Sequence, residues 1–138
     1  MRTISLVLVL TVLFFSCKKD ENRLDTLRSD NGFIGEWKLT AVSFDIGNGQ
    51  GAFKSVKSDK TIEFHPDGTL TSNGSIYNIT SIESNSPSNG TYSLIDSTIY
   101  ASDFPINSFP NRFKKEGGTL VIYFGGCIEP CKAKFLKN

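Results

Sequence analysis

The chain holds one histidine, one tryptophan, one methionine and three cysteines in 138 residues, and its charges nearly cancel, with 15 basic against 14 acidic side chains. Each scarcity excludes something. A structural zinc site wants four Cys, His or carboxylate ligands, and a lone His65 does not anchor such a set. His65 stands between a strand-like run and a proline turn, an ordinary place for a solvated or hydrogen-bonded imidazole. No serine and carboxylate take positions about it that read as a triad. Glu36, Asp45, Asp59, Glu63, Asp96 and Asp103 are dispersed and look outward. They give no acid–base couple of the glycosidase kind, and no dense oxygen loop for calcium. Gly47-Asn48-Gly49-Gln50-Gly51 is glycine-rich but leads into a strand-like run, whereas a phosphate loop leads into a helix N-terminus. A basic excess is missing too, so nucleic acid is not an expected partner. We therefore expect no catalytic residue, no metal and no cofactor, and a protein that is not an enzyme.

Long apolar runs are absent beyond the first sixteen residues. Ile4 to Phe15 is apolar but for Ser5 and Thr11, behind the single charge of Arg2. Twelve helical residues reach about 18 Å, short of the ~30 Å hydrocarbon core of a bilayer, so the run fits an export signal. It ends Leu13-Phe14-Phe15-Ser16-Cys17, which resembles a lipobox: apolar residues, a small residue, then the cysteine that takes the lipid. The expectation is a signal peptide at 1–16, lipidation of Cys17 and a flexible tether over 17–31, with the domain at 32–138. Lys18-Lys19-Asp20-Glu21 resembles the signal that carries some Bacteroidetes lipoproteins to the cell surface; it equally suits a solvated tether, so the outer-membrane face, periplasmic or external, stays open. Cleavage removes 16 of the 138 residues and only one charge, leaving 122 residues with 14 basic and 14 acidic side chains. That length makes one domain able to bury about two thirds of its unfolded surface. We expect a monomer held to the membrane by its lipid.

No convincing helical period runs through the domain; what is there alternates. Trp37 and Leu39 share one phase and Val42, Phe44 and Ile46 the other, so a bulge or bend is expected between Leu39 and Val42. Ile62 and Phe64 alternate toward a core, Pro66-Asp67-Gly68 makes a turn, and Thr69-Leu70-Thr71 returns as a hairpin. Further strands are expected at 52–57, 75–80, 90–95, 97–101, 119–124 and 131–136. Many short strands divided by Gly, Asn, Ser and Asp turns mean an antiparallel barrel or sandwich.

Gly35-Glu36-Trp37-Lys38-Leu39, Ile62-Glu63-Phe64-His65-Pro66-Asp67-Gly68-Thr69, Gly90-Thr91-Tyr92 and Leu120-Val121-Ile122 together resemble the small lipocalin-like lipoproteins of Bacteroidetes. The resemblance implies an all-β fold, an up-and-down antiparallel barrel of about eight strands with Trp37 packed across one end. The family pattern also sets an arginine late in the barrel against that tryptophan. Here the last arginine, Arg112, precedes the final two strands, a departure from the pattern. Barrels of this size either hold one small ligand or are filled by side chains. The first expectation is a small apolar ligand contacted by Trp37, Phe64, Tyr92 or Phe124. The alternative is a structural or partner-binding accessory of the cell envelope with a packed barrel.

Cys127 and Cys131 remain after lipidation. Extended, their Cα atoms would lie about 13 Å apart, against the roughly 4.4–6.8 Å of a disulfide; Gly125-Gly126 and Pro130 turn the segment, and export favours a bridge. Asp103 to Asn111 carries two prolines and two phenylalanines in a long connection, suited to a lid over the barrel mouth or to a packed plug. Asn73, Asn78 and Asn89 begin N-glycosylation triplets, and Asp25-Thr26-Leu27 and Asp96-Ser97-Thr98 resemble an O-glycosylation pattern; three-residue motifs recur by chance.

Overall fold

Alternation in Thr61–Phe64 puts Ile62 and Phe64 on one side of the strand, and both are fully buried. The following turn closes with a Gly68 N–H to His65 carbonyl hydrogen bond of 3.2 Å, and Gly68 takes a φ of 86°, which glycine adopts without a Cβ clash. Asp67 accepts from the Thr69 hydroxyl and amide, and these bonds hold its carboxyl below the usual carboxylate range. The same logic of short strands and polar turns repeats along the chain. The computed structural model describes residues 32–45 and 51–138. The expected signal segment 1–16, Cys17, the tether 17–31, Ile46 and most of the glycine-rich loop lie outside the described residues.

Among the described residues nine strands follow in order: β1 (Gly35–Phe44), β2 (Lys54–Ser55), β3 (Thr61–Phe64), β4 (Thr69–Ser72), β5 (Ser88–Ser93), β6 (Thr98–Ala101), β7 (Asn111–Glu116), β8 (Thr119–Tyr123) and β9 (Cys131–Lys137). Each of β3 to β9 pairs antiparallel with its neighbour in sequence, and β9 returns to β1, so eight strands close an up-and-down barrel. The fold is all-β, as the sequence implies. The short β2 lies outside this ring, paired to β1 at Ala41 and Val42.

The expected irregularity in β1 falls at Thr40. Leu39 faces Phe135 and Ala41 faces Lys134, so Thr40 is the extra residue, and its hydroxyl donates to the Lys134 carbonyl at 3.1 Å. The extra residue moves the inward phase from Trp37 and Leu39 to Val42. Ala41 and Ser43 then point outward, yet both are buried, because residues 51–55 fold over them. Ser43 donates to the Gly51 carbonyl at 2.8 Å, and Phe53 lies beneath the Lys134 ammonium at 4.3 Å.

Two strand expectations need correction. Residues 75–80 form no strand; they belong to the long β4–β5 connection, and Ile76 and Ile79 are three apart because they dip inward from a turn. β7 was not expected, because of its inward residues Asn111, Phe113 and Lys115 only one is apolar. The joint it makes with β6 is short: only Thr98–Arg112 and Ile99–Asn111 are in register.

The ends of the barrel differ. At the narrow end the chain turns tightly at 65–68, 94–97 and 117–118, and the segment before β1 enters there. Phe33 is 1% exposed at that end, with ring centroids 4.4 Å from Phe64, 5.0 Å from Phe113 and 5.4 Å from Tyr92. Trp37 is fully buried beside it and donates from Nε1 to the Phe33 carbonyl at 2.8 Å. Where the resemblance led us to look for an arginine, Lys137 of β9 stands over the indole at 5.1 Å, and its ammonium also donates to the carbonyls of Gly32 and Ile34. A cation thus closes the narrow end, supplied by the last strand.

Candidate functional site

At the opposite end, which we call the mouth, three long connections meet: 73–87, 102–110 and 124–130. The first of them fills the opening. Ile76 and Ile79 are fully buried in the barrel core, and polar side chains hold the backbone that carries them. Asn111, buried on β7, donates to the Ile76 carbonyl at 2.7 Å and to Tyr77 at 3.3 Å, and accepts from Gly125 N–H at 2.9 Å. Ser88 accepts from Ile76 N–H at 3.0 Å and donates to the Gly74 carbonyl at 2.8 Å. Asp103 accepts from the Ser75 hydroxyl at 2.6 Å and from Tyr77 N–H at 3.2 Å.

Lys60 completes the anchorage. It is fully buried, and its ammonium donates to the carbonyls of Asn78 (3.1 Å), Ile79 (3.3 Å) and Ser81 (3.0 Å). Burial pushes the ammonium down to about 8, with the Asp103 carboxylate acting against it. Among the described residues no buried side-chain nitrogen or oxygen lacks a partner. A polar set this fully satisfied rigidifies what it holds.

Beside this plug lies an open groove of about 560 Å³. Val42 and Phe44 from β1, Phe124 after β8 and the Cys127–Cys131 pair form one side; Asn78, Thr80, Ser81, Ile82 and Glu83 form the other. The two sulfurs are 2.06 Å apart and the Cα atoms 5.9 Å, so the expected bridge is formed and ties the 124–130 loop to the start of β9. Phe124 is held edge-on to Tyr77 at 5.1 Å, and its amide donates to the Cys131 carbonyl at 2.9 Å. Phe44 is 55% exposed and Ile82 49%, so apolar surface on both sides of the groove is open to solvent.

The four aromatic residues singled out from the sequence are not brought together. Trp37, Phe64 and Tyr92 pack with Phe33 at the narrow end, while Phe124 alone reaches the groove. Val42 and Phe44 were legible as an apolar phase of β1. Ile82 and Glu83, in a stretch of Ser and Asn, carried no sequence signal. The 102–110 connection is not the plug: Phe104 is partly buried, but Ile106 and Phe109 stand 94% and 74% exposed beside the mouth. His65 contacts Thr71 at 3.3 Å and Glu63 at 4.0 Å on the outer face of the β3–β4 hairpin. Among the described residues no three of His, Cys, Asp and Glu converge as metal ligands would.

In a comparison with known families, residues 33–123 match a model described as a lipocalin-like domain. The matched stretch ends at the last residue of β8, so β9 and the disulfide-bonded loop lie beyond it. No curated protein and no solved structure matches the chain.

Proposed function

The chain belongs to the lipocalin-like domain family, and from that premise we propose that it is a cell-envelope lipoprotein whose barrel takes a small apolar ligand at its mouth. The observation that carries the reading is the groove between Phe44, Ile82 and Phe124. Its volume falls within the ~300–1,000 Å³ of small-molecule sites. The narrow end is occupied by Phe33 and its neighbours, and the mouth by Ile76 and Ile79, so the groove is the place where a ligand meets apolar surface without unpacking the core. Anchoring rests on Ser16-Cys17 behind a short apolar run, and a second acyl chain would make it firm. On this reading the protein is a monomer on the periplasmic or external face of the outer membrane, with no catalytic role.

Titration with dodecanol, followed by the side-chain methyl resonance of Ile82, tests the site. Binding should weaken by roughly fivefold or more in Phe44→Ser and Phe124→Ala, since each removes on the order of 50 Å² of apolar contact at ~25 cal/mol per Å². Equal affinity in wild type and both variants would overturn the reading.

A second reading is favoured by Ile106, Phe109 and Ile128, the last fully exposed, which stand on the mouth loops. Exposed apolar tips of this kind suit an envelope protein partner. A photo-crosslinker at position 128 would then give one discrete adduct in cells, and dodecanol would leave Ile82 unmoved.

A further inference from the structure

Of the residues that line the groove, Glu83 is the one that carries a charge. The three mouth connections, 73–87, 102–110 and 124–130, contain Glu83, Asp103 and Glu129 and not a single Lys, Arg or His. The cations nearest the groove are Lys54, opposite Val42 on β2, and Lys57, beside the Ser58 that donates to the Ile82 carbonyl, and neither pairs with Glu83; Arg112, Lys114, Lys132 and Lys134 alternate on the outward side of β7 and β9, and Lys137 caps the narrow end. Two of the charges near the mouth are spent internally. Asp103 holds Ser75 and Tyr77, and the Lys60 ammonium is buried behind the groove wall against three carbonyls.

Glu83 is different. It lines the groove, it is exposed, and among the described residues no cation pairs with its carboxylate. The surface facing it is made of Val42, Phe44, Phe124 and the disulfide. We propose that the groove selects cationic amphiphiles: an apolar tail lies along Val42, Ile82 and Phe124 while an amine head sits at Glu83. This inference rests on the groove reading above and names the class of ligand it takes. Two physical terms act in the same direction. The carboxylate attracts an ammonium and repels a fatty-acid or sulfate head, and the faces of Phe44 and Phe124 add a cation–π contribution at the rim. Screening keeps the charge term moderate, because Glu83 faces water on one side. Selection against the wrong sign is therefore as much a part of the design as attraction of the right one.

The experiment titrates the full chain with dodecylamine, dodecanol and dodecyl sulfate, all below their micellar concentrations, at pH 7. The Ile82 methyl resonance reports the groove, and that of Ile95, exposed on the narrow-end turn, reports adsorption elsewhere. Dodecylamine should bind at Ile82 about tenfold more tightly than dodecyl sulfate, each sign of charge being worth a few-fold at an exposed carboxylate. Glu83→Gln should erase that difference, bringing the ratio of dodecylamine to dodecyl sulfate affinity to about one. If dodecanol binds at Ile82 and the two charged probes bind alike, or if the preference survives in Glu83→Gln, the charge selection is wrong while the groove remains a ligand site. If none of the three probes shifts Ile82 before Ile95, the groove reading falls and takes this inference with it.

Discussion

Replacing Lys60 by methionine isolates the anchorage of the mouth plug. Lys60 carries a charge at zero exposure, and its folded-state value of about 8 lies below the ordinary 10.5. Below pH 8 both folded and unfolded chains hold the proton, and above 10.5 neither does. Between those values the unfolded chain binds a proton that the folded chain has released, so this group makes stability rise with pH across the window. A fall of about two and a half units, at about 1.4 kcal/mol each, amounts to roughly 3 kcal/mol. Methionine keeps the stem volume and cannot titrate, so subtracting the stability of Lys60→Met from that of wild type cancels every other lysine and tyrosine. Denaturant melts of both proteins at intervals from pH 7.5 to 10.5 should show the difference moving in favour of wild type by roughly 3 kcal/mol. The neutral amine still donates two hydrogens to the carbonyls of Asn78, Ile79 and Ser81, so the plug stays seated. A difference that is flat or falls with pH would refute the reasoning, because it would mean that three carbonyls and Asp103 hold the proton as tightly as water does.

Three other outcomes are expected. Trp37→Ala should lower stability by about 3–5 kcal/mol in a denaturant melt, as the indole is fully buried against Phe33 and beneath Lys137; a loss under about 1 kcal/mol would contradict its place in the core. Reduction of Cys127–Cys131 should lower the melting temperature by several degrees without unfolding the barrel, since a loop this short contributes roughly 2 kcal/mol in the chain-entropy model; mass spectrometry after alkylation checks that the thiols were bridged beforehand. Cys17→Ala should release the protein from membranes and abolish incorporation of radioactive fatty acid, and equal label in wild type and variant would sink the lipid assignment.

The strands and turn of the narrow end were legible in the sequence because their determinants are local. Ile62 and Phe64 alternate, Pro66-Asp67-Gly68 can hardly do other than turn, and the phase change after Leu39 marks the bulge at Thr40. The mouth was not legible, because its determinants are distant partners. Asn111 reads as a loop residue until the Ile76 carbonyl is placed against it, and Lys60 reads as a surface lysine until three carbonyls surround it. β7 escaped for the same reason: its inward positions serve hydrogen bonds rather than apolar contacts, so period-two hydrophobicity is lost. Phe33, the hub of the narrow end, lies ahead of the first strand and outside any alternation. Glu83 had no signal at all, since a carboxylate in a serine-rich connection is an ordinary solubilising residue until an apolar wall faces it.

The short register between β6 and β7 makes the cylinder unequal around its circumference. A hoop bears strain only as well as its weakest joint, and here one joint holds two residue pairs where β1 and β9 hold seven. The two sides of that joint are themselves firm, β3 to β6 as one run of hairpins and β7 to β9 as another, with β1 lacing them together on the far side. Beyond its two register pairs the joint has the Phe113 N–H to Ser97 carbonyl bond at 3.0 Å, so it is the place where local opening is expected to cost least. The residue at the mouth end of that joint is Asn111, which also grips the plug and the Gly125 amide of the disulfide loop. Parting the joint would therefore loosen the stopper and one wall of the groove together, because one side chain, Asn111, is bonded to both.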